Sequence, residues 1–197
     1  MIRIKNCLLL VLLLRGLTSF AQIDVSISPI SILRTNIDVT LEYRVTQDIG
    51  IELTPELAFG SFNIYEYYQF PTEISYNTVG IGARLIGKYY FIPAKGCDRL
   101  NIGPYLKFRQ TSAKPKEAGI ANNIQATRFA AGFYAGYKWV LRRNILIELG
   151  LGFGRAFKSE GRINYGAQDI ASFGNQDFDA TGNLIIGYRF GGKSQKE

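Results

Sequence analysis

Runs in which apolar and polar residues take strict turns occupy most of this 197-residue chain. A period of two places successive side chains on opposite faces of an extended strand, so each run should fold as a strand separating two unlike environments. Ile145 to Phe153 shows this best: Ile145, Ile147, Leu149, Leu151 and Phe153 share one face, and Glu148, Gly150, Gly152 and Gly154 the other. Near the end, Leu184, Ile186, Tyr188 and Phe190 oppose Asp179, Thr181, Asn183 and Arg189. Upstream, Val79 to Phe91, Leu100 to Arg109 and Arg128 to Trp139 alternate in the same way, as do Ile37 to Val45 and Ile49 to Phe59. Asp24 to Leu33 makes an eighth strand whose phase slips after Pro29, where a bulge or an edge-like break is expected. No helix-period stretch or long repeat competes, which implies one domain.

An apolar face on every strand has three readings: the lining of a soluble barrel, the core of a sandwich, or a surface turned to lipid. The packed interior of a small eight-stranded barrel holds about twelve side chains. The large apolar residues on this face far outnumber that, whereas glycine and fixed charge on the other face suit a narrow lumen. The runs also exceed the ~5–6 residues common in sandwich strands and match the ~9–11 tilted residues that cross a hydrocarbon core. Lipid cannot satisfy an open sheet edge, so closure becomes compulsory, and eight is an even count that closes antiparallel. The expected fold is therefore all-β, an eight-stranded antiparallel up-and-down transmembrane barrel. A soluble exported barrel or sandwich carrying an apolar ligand is the other reading.

The start of the chain agrees with export. Arg3 and Lys5 precede the apolar run Cys7 to Leu14, and Ser19-Phe20-Ala21 forms a small-x-small cleavage site before Gln22. The expected organisation is a signal peptide over 1–21, a barrel over 22–190 and a short polar tail over 191–197. Losing Arg3, Lys5 and Arg15 leaves 20 of the 23 basic residues against 16 acidic ones, a net of +4 instead of +7. That balance does not argue for nucleic acid. Cys97 is left alone, so no internal disulfide is expected. Histidine is absent, which removes Ser-His and Cys-His nucleophilic catalysis and the commonest transition-metal ligand. No catalytic residue, metal or cofactor is expected.

With the amino terminus on the periplasmic side, the short turns are Thr46 to Asp48, Pro93 to Arg99 and Leu141 to Asn144. The outer loops become the tight Arg34 to Asn36 and the longer Asn63 to Asn77, Ser112 to Asn123 and Ser159 to Asp177. Aromatics gather near both ends of the apolar faces. Tyr43, Tyr89, Phe91, Tyr137, Trp139, Tyr188 and Phe190 lie towards the turns, and Phe59, Phe108, Phe129 and Phe157 towards the loops, as two interfacial girdles would. The Ser19-Phe20-Ala21-Gln22 junction, the glycine-alternating strands and the terminal Gly187-Tyr188-Arg189-Phe190 resemble the small OmpA/OmpX-type outer-membrane barrels. Ser28-Pro29-Ile30-Ser31 followed by Leu41-Glu42-Tyr43-Arg44 is similar to a poorly characterised, porin-like subgroup of them without a peptidoglycan-binding domain. The resemblance implies an outer-membrane location, outer-membrane lipids and lipopolysaccharide as surroundings, and recognition of Tyr188 and Phe190 by the barrel-assembly machinery. Gly191 to Glu197 extends past the terminal aromatic that such barrels present.

The lumen face collects Asp38, Glu42, Arg44, Glu52, Glu56, Arg84, Lys88, Lys107, Arg109, Arg128, Lys138, Glu148, Asp179 and Arg189. Inward polar groups in so narrow a tube need partners, so a salt-bridged plug is expected, with a narrow ion or solute path as the alternative. Gly150-x-Gly152-x-Gly154 lies within a strand and lacks the helix that a phosphate loop feeds, so these glycines are read as making room inside the barrel. Lys114, Lys116, Lys158 and Arg162 near the outer loops could meet lipopolysaccharide phosphates. The functional expectation is a structural or surface-interaction protein that meets an unidentified ligand through its outer loops.

Overall fold

The computed structural model describes residues 22–68, 70–116, 122–165, 168–173 and 177–191; the expected signal segment and the tail beyond Gly191 lie outside them. Among the described residues nine strands form: β1 Ile23–Ile27, β2 Asn36–Arg44, β3 Ile49–Tyr68, β4 Phe70–Tyr90, β5 Arg99–Pro115, β6 Asn122–Val140, β7 Ile145–Tyr165, β8 Gln168–Phe173 and β9 Phe178–Phe190. Each of β1 to β7 pairs antiparallel with the next, β7 pairs with β9, and β9 pairs back onto β1. The result is a closed eight-stranded up-and-down barrel, with β8 attached to β7 as an extra strand at one end.

The register gives the shape. A path across the ring from Tyr188 passes Val25, Leu41, Leu53, Leu85, Leu106, Ala131 and Arg155, and returns to β9 at Phe178. The shear is therefore ten residues (188 minus 178). With ordinary strand spacings this tilts the strands by roughly 40° and leaves a bore that side chains can fill.

The two faces separate as the alternation requires. Leu149, Phe133 and Ile81 point outward and are 53%, 75% and 52% exposed, whereas Arg84 and Glu148 point inward and are 4% and 0% exposed. Among the described residues no helix is long and apolar enough to cross a membrane; every long segment is a strand.

Two sequence expectations are corrected. The first strand does not run from Asp24 to Leu33. It stops at Ile27, and Pro29–Leu33 forms a single helical turn, α1. Pro29 has no N–H to give a ladder and its fixed φ suits a first helical position, while the Ser28 hydroxyl accepts from the Ser31 amide as an N-cap. The second correction concerns the outer loops. Nearly all the described residues of Asn63 to Asn77, Ser112 to Asn123 and Ser159 to Asp177 are strand, residues 69, 117–121, 166–167 and 174–176 lying outside the described ones: β3 and β4 stay paired to Tyr68 and Phe70, β5 and β6 to Ala113 and Ile124, and β6 and β7 to Asn122 and Tyr165. Cross-strand hydrogen bonds satisfy the backbone there whatever the side-chain pattern, so the weaker alternation did not end the strands.

The wall is uneven as a consequence. β2 accompanies β3 only to Ala58, and β9 accompanies β7 only to Arg155. Beyond those levels β3 to β7 continue as a tall sheet, extended by β8. A bulge interrupts the β6–β7 register where Phe129 faces Lys158 and Ala130 faces Ala156, leaving Phe157 as the extra residue.

Candidate functional site

The inward face of the half nearest the short turns is a dry ionic cluster. The Lys88 ammonium reaches Glu52 and Glu148 at 2.5 Å and Glu42 at 3.1 Å. Lys138 approaches Glu42 at 2.5 Å, Asp24 at 3.1 Å and Glu148 at 3.6 Å. Arg189 clasps Asp24 with Nε and Nη2, both at 2.8 Å, the bidentate geometry that a guanidinium favours. Arg84 completes the set, 3.7 Å from Glu52, and donates to Thr181 at 2.9 Å. Four acids (Asp24, Glu42, Glu52, Glu148) thus balance four bases (Arg84, Lys88, Lys138, Arg189), all of them buried.

Tyrosines supply the remaining donors. Tyr90 donates to Glu42 at 2.6 Å and Tyr134 to Glu148 at 3.0 Å. Their rings also lie beneath ammonium groups, Lys138 at 5.3 Å from the Tyr90 centroid and Lys88 at 5.4 Å from that of Tyr134. These rings explain the glycine-rich neighbours. A Cβ added at Gly150 would sit 2.0 Å from the Tyr134 hydroxyl, and one at Gly154 would sit 2.2 Å from the Ala131 carbonyl and 2.7 Å from the Tyr105 hydroxyl. Gly150 makes room for Tyr134, and Gly154 for the neighbouring backbone of β6 as well as for Tyr105.

Glu42, Glu52 and Glu148 bring carboxylate oxygens within 4.8 Å of one another, a donor set suited to a cation. The Lys88 ammonium already touches all three, so the positive charge they require comes from a side chain of the chain itself.

Towards the tall end the lumen is looser. Arg109 pairs with Glu56 at 2.9 Å; Arg128 and Lys107 approach Asp179 at 3.3 and 3.6 Å, and Tyr105 donates to it at 2.8 Å. Asp38 accepts a 2.5 Å bond from Ser31 of α1.

At the opposite end the turn between β4 and β5 folds under the barrel. Its carbonyls at Lys95, Gly96 and Cys97 accept from Arg189 at 3.2, 2.9 and 3.0 Å, and Gly96 also accepts from Gln22. Arg44 donates to Gln22 at 2.6 Å. Left-handed backbone at Ile92, Gly96, Cys97 and Arg99 lets the turn double back this tightly. Asp98 anchors it by accepting the amides of Ala94 and Lys95. Cys97 is enclosed here, and burial, with Glu42 nearby, pushes its thiol up to about 12.

All fourteen charged residues expected on the lumen face point inward, but they occupy three places. Glu42, Glu52, Arg84, Lys88, Lys138, Glu148 and Arg189 meet in the buried cluster; Glu56 with Arg109, Asp179 with Lys107 and Arg128, and Asp38 with Ser31 lie towards the tall end; Arg44 holds the turn-end closure. Sequence reasoning missed Asp24, although its alternation with Ile23, Val25, Ser26 and Ile27 was available. It also missed Tyr90 and Tyr134 as inward hydroxyls, and the inward apolar residues Ile86, Leu146 and Ile185, which no pattern of charge could announce. Tyr188 and Phe190 lie outward on β9, where rings 4.9 Å apart stand beside the strand pair that closes the barrel.

No protein-family model matches this sequence, and no curated protein matches it. Among solved structures, CarO of Acinetobacter baumannii is similar, with a TM-score of 0.44 and 7% identity over 86% of this chain and 97% of that one. The barrel assignment rests on the closed strand ring itself.

Proposed function

We propose that this chain is an integral outer-membrane β-barrel with a structural or surface-interaction role, its lumen closed by charged residues and its tall sheet presented outside the cell. The carrying observation is the height of the apolar band. Ile49 to Phe59, Val79 to Tyr89 and Phe129 to Trp139 each cover ten residue steps of outward-facing apolar residues. At the tilt set by the shear, that is roughly 25 Å along the axis, the height of the lipid-facing band of such barrels. Aromatic pairs mark its lower border, Tyr89 with Phe91 at 5.1 Å and Tyr137 with Trp139 at 4.6 Å. The strands of 20 and 21 residues then stand well clear of the band at the tall end. The balanced cluster and the folded-under turn support closure over conduction, and the absence of histidine supports a non-catalytic role. Tyr188 and Phe190 are suited to recognition during assembly, and the outer strands to a ligand at the cell surface.

The test is refolding into detergent and then lipid vesicles. An embedded barrel migrates faster in gels before heating than after, and protease trims only its ends and the tips beyond the band. Leu149→Arg, which sets a cation against mid-membrane lipid, should cost about 2–4 kcal/mol in vesicles. Partitioning into water without detergent, or no cost at Leu149, would refute the membrane reading. Steady single-channel conductance in planar bilayers would refute the closed lumen alone.

A further inference from the structure

We propose that the rim at the short-turn end carries a docking surface for anionic phospholipid headgroups, built from Lys95, Arg99, Arg142 and Arg143. The inference rests on the membrane reading above and adds a specific lipid chemistry to one quadrant of the barrel.

These four cations are exposed; Lys95 lies in the turn between β4 and β5, Arg99 opens β5 directly after it, and Arg142 and Arg143 lie in the neighbouring turn between β6 and β7. Structure holds the turns together: the Lys95 ammonium donates to the Val140 carbonyl at 3.1 Å, one residue before the second turn begins. Arg99 is steadied by its bond to the Ile92 carbonyl at 3.1 Å. Arg142 and Arg143 occupy a single 3-10 turn, in which left-handed backbone at Arg143 and Asn144 reverses the chain.

Acidic neighbours do not neutralise this group. Asp98, the acid of the first turn, is buried and spends its carboxylate on the backbone amides of Ala94 and Lys95. Leu141 to Asn144 contains no acid. Among the described residues, the third short turn, Val45 to Asp48, carries Asp48 and no base, so the positive charge of the three short turns gathers on one side.

The apolar surroundings set its depth. Exposed Ile92 and Leu141 and the Tyr137–Trp139 pair sit immediately beside the cations. Aromatic rings of this kind settle at headgroup level, which leaves Arg142 and Arg143, three and four residues beyond Trp139, at the level of the phosphates. Anionic lipid attracts such clustered bases, and the attraction fades within a Debye length.

Trp139 is the only tryptophan in the chain, so it reports on this quadrant alone. The protein is refolded into phosphatidylcholine vesicles carrying a small share of brominated phosphatidylglycerol, or the same share of brominated phosphatidylcholine. The expected result at low salt is a preference of about five-fold for the anionic quencher, the size that one headgroup–cation contact would produce. Salt at 0.5 M should erase most of it. Arg142→Gln with Arg143→Gln should abolish the preference, Lys95→Gln with Arg99→Gln should weaken it, and Lys114→Gln at the tall end should leave it intact. The heat-dependent gel shift certifies that each variant is folded. Equal quenching by the two lipids, or a preference that survives both double substitutions, would overturn the docking surface, as for a patch that meets an acidic protein instead. Quenching by neither lipid would overturn the membrane reading beneath it.

Discussion

In the half of the lumen nearest the short turns, Lys88 and Lys138 reach three carboxylates each with their ammonium groups shut away from water. In the other half, Arg109 and Arg128 meet the same kind of partner with 37% and 26% of their side chains exposed. Both halves follow the same alternating code, and the charges in both pair well. The difference is solvent. A buried pair has given up hydration that only its partners replace, so its members depend on one another; an exposed pair can turn back to water. The first half should therefore behave as one cooperative unit and the second as a set of independent contacts.

Glu42→Leu is the strongest attempt to break this contrast, because Glu42 bonds Lys88, Lys138 and Tyr90 together. Denaturant unfolding of the vesicle-embedded barrel should show a loss of about 3–5 kcal/mol, and adding Lys138→Met should restore part of it by returning the cluster to neutrality. A cost that adds simply across the two sites would mean that the cluster is not a unit.

Glycine substitutions probe packing in the two halves. Gly150→Ala drives a methyl into the Tyr134 hydroxyl and should cost about 1–3 kcal/mol, whereas Gly60→Ala finds nothing within 4 Å and should be close to neutral. The same unfolding assay checks both. Arg109→Ala comes next: its half-wet bond to Glu56 should contribute no more than about 1 kcal/mol.

The smallest effect is a difference in reactivity. Cys97 is enclosed by the turn that closes the dry half, and its thiol is pushed from about 9 up to about 12. A maleimide at pH 8 should label it in unfolded protein and leave it untouched in the folded barrel. The sign follows from linkage: below pH 9 both states hold the thiol proton. Between about 9 and 12 the unfolded chain loses it more readily, so this group's contribution to stability declines as pH rises. Rapid labelling of folded protein would mean that the turn does not stay shut.

The architecture was legible because alternation is a local signal: Ile145 to Gly154 states which residues share a face without reference to any partner strand, and closure was expected because an apolar wall set in lipid would have no solvent to satisfy an open edge. The identity of the lumen residues was legible for the same reason. Their grouping was not. Arg189 and Asp24 are 165 residues apart in sequence, and they meet because β9 closes onto β1.

Alternation therefore determined the faces, the number of strands in the ring and the polarity of the interior. Tertiary structure alone decided the shear of ten residues, which charges share a buried pocket, how far the paired strands continue, and that a turn folds under to close one end. The physical reason is range. Which face a side chain takes is settled within a few residues, whereas the partner it meets depends on how eight strands register around a ring, a long-range outcome that no segment encodes by itself.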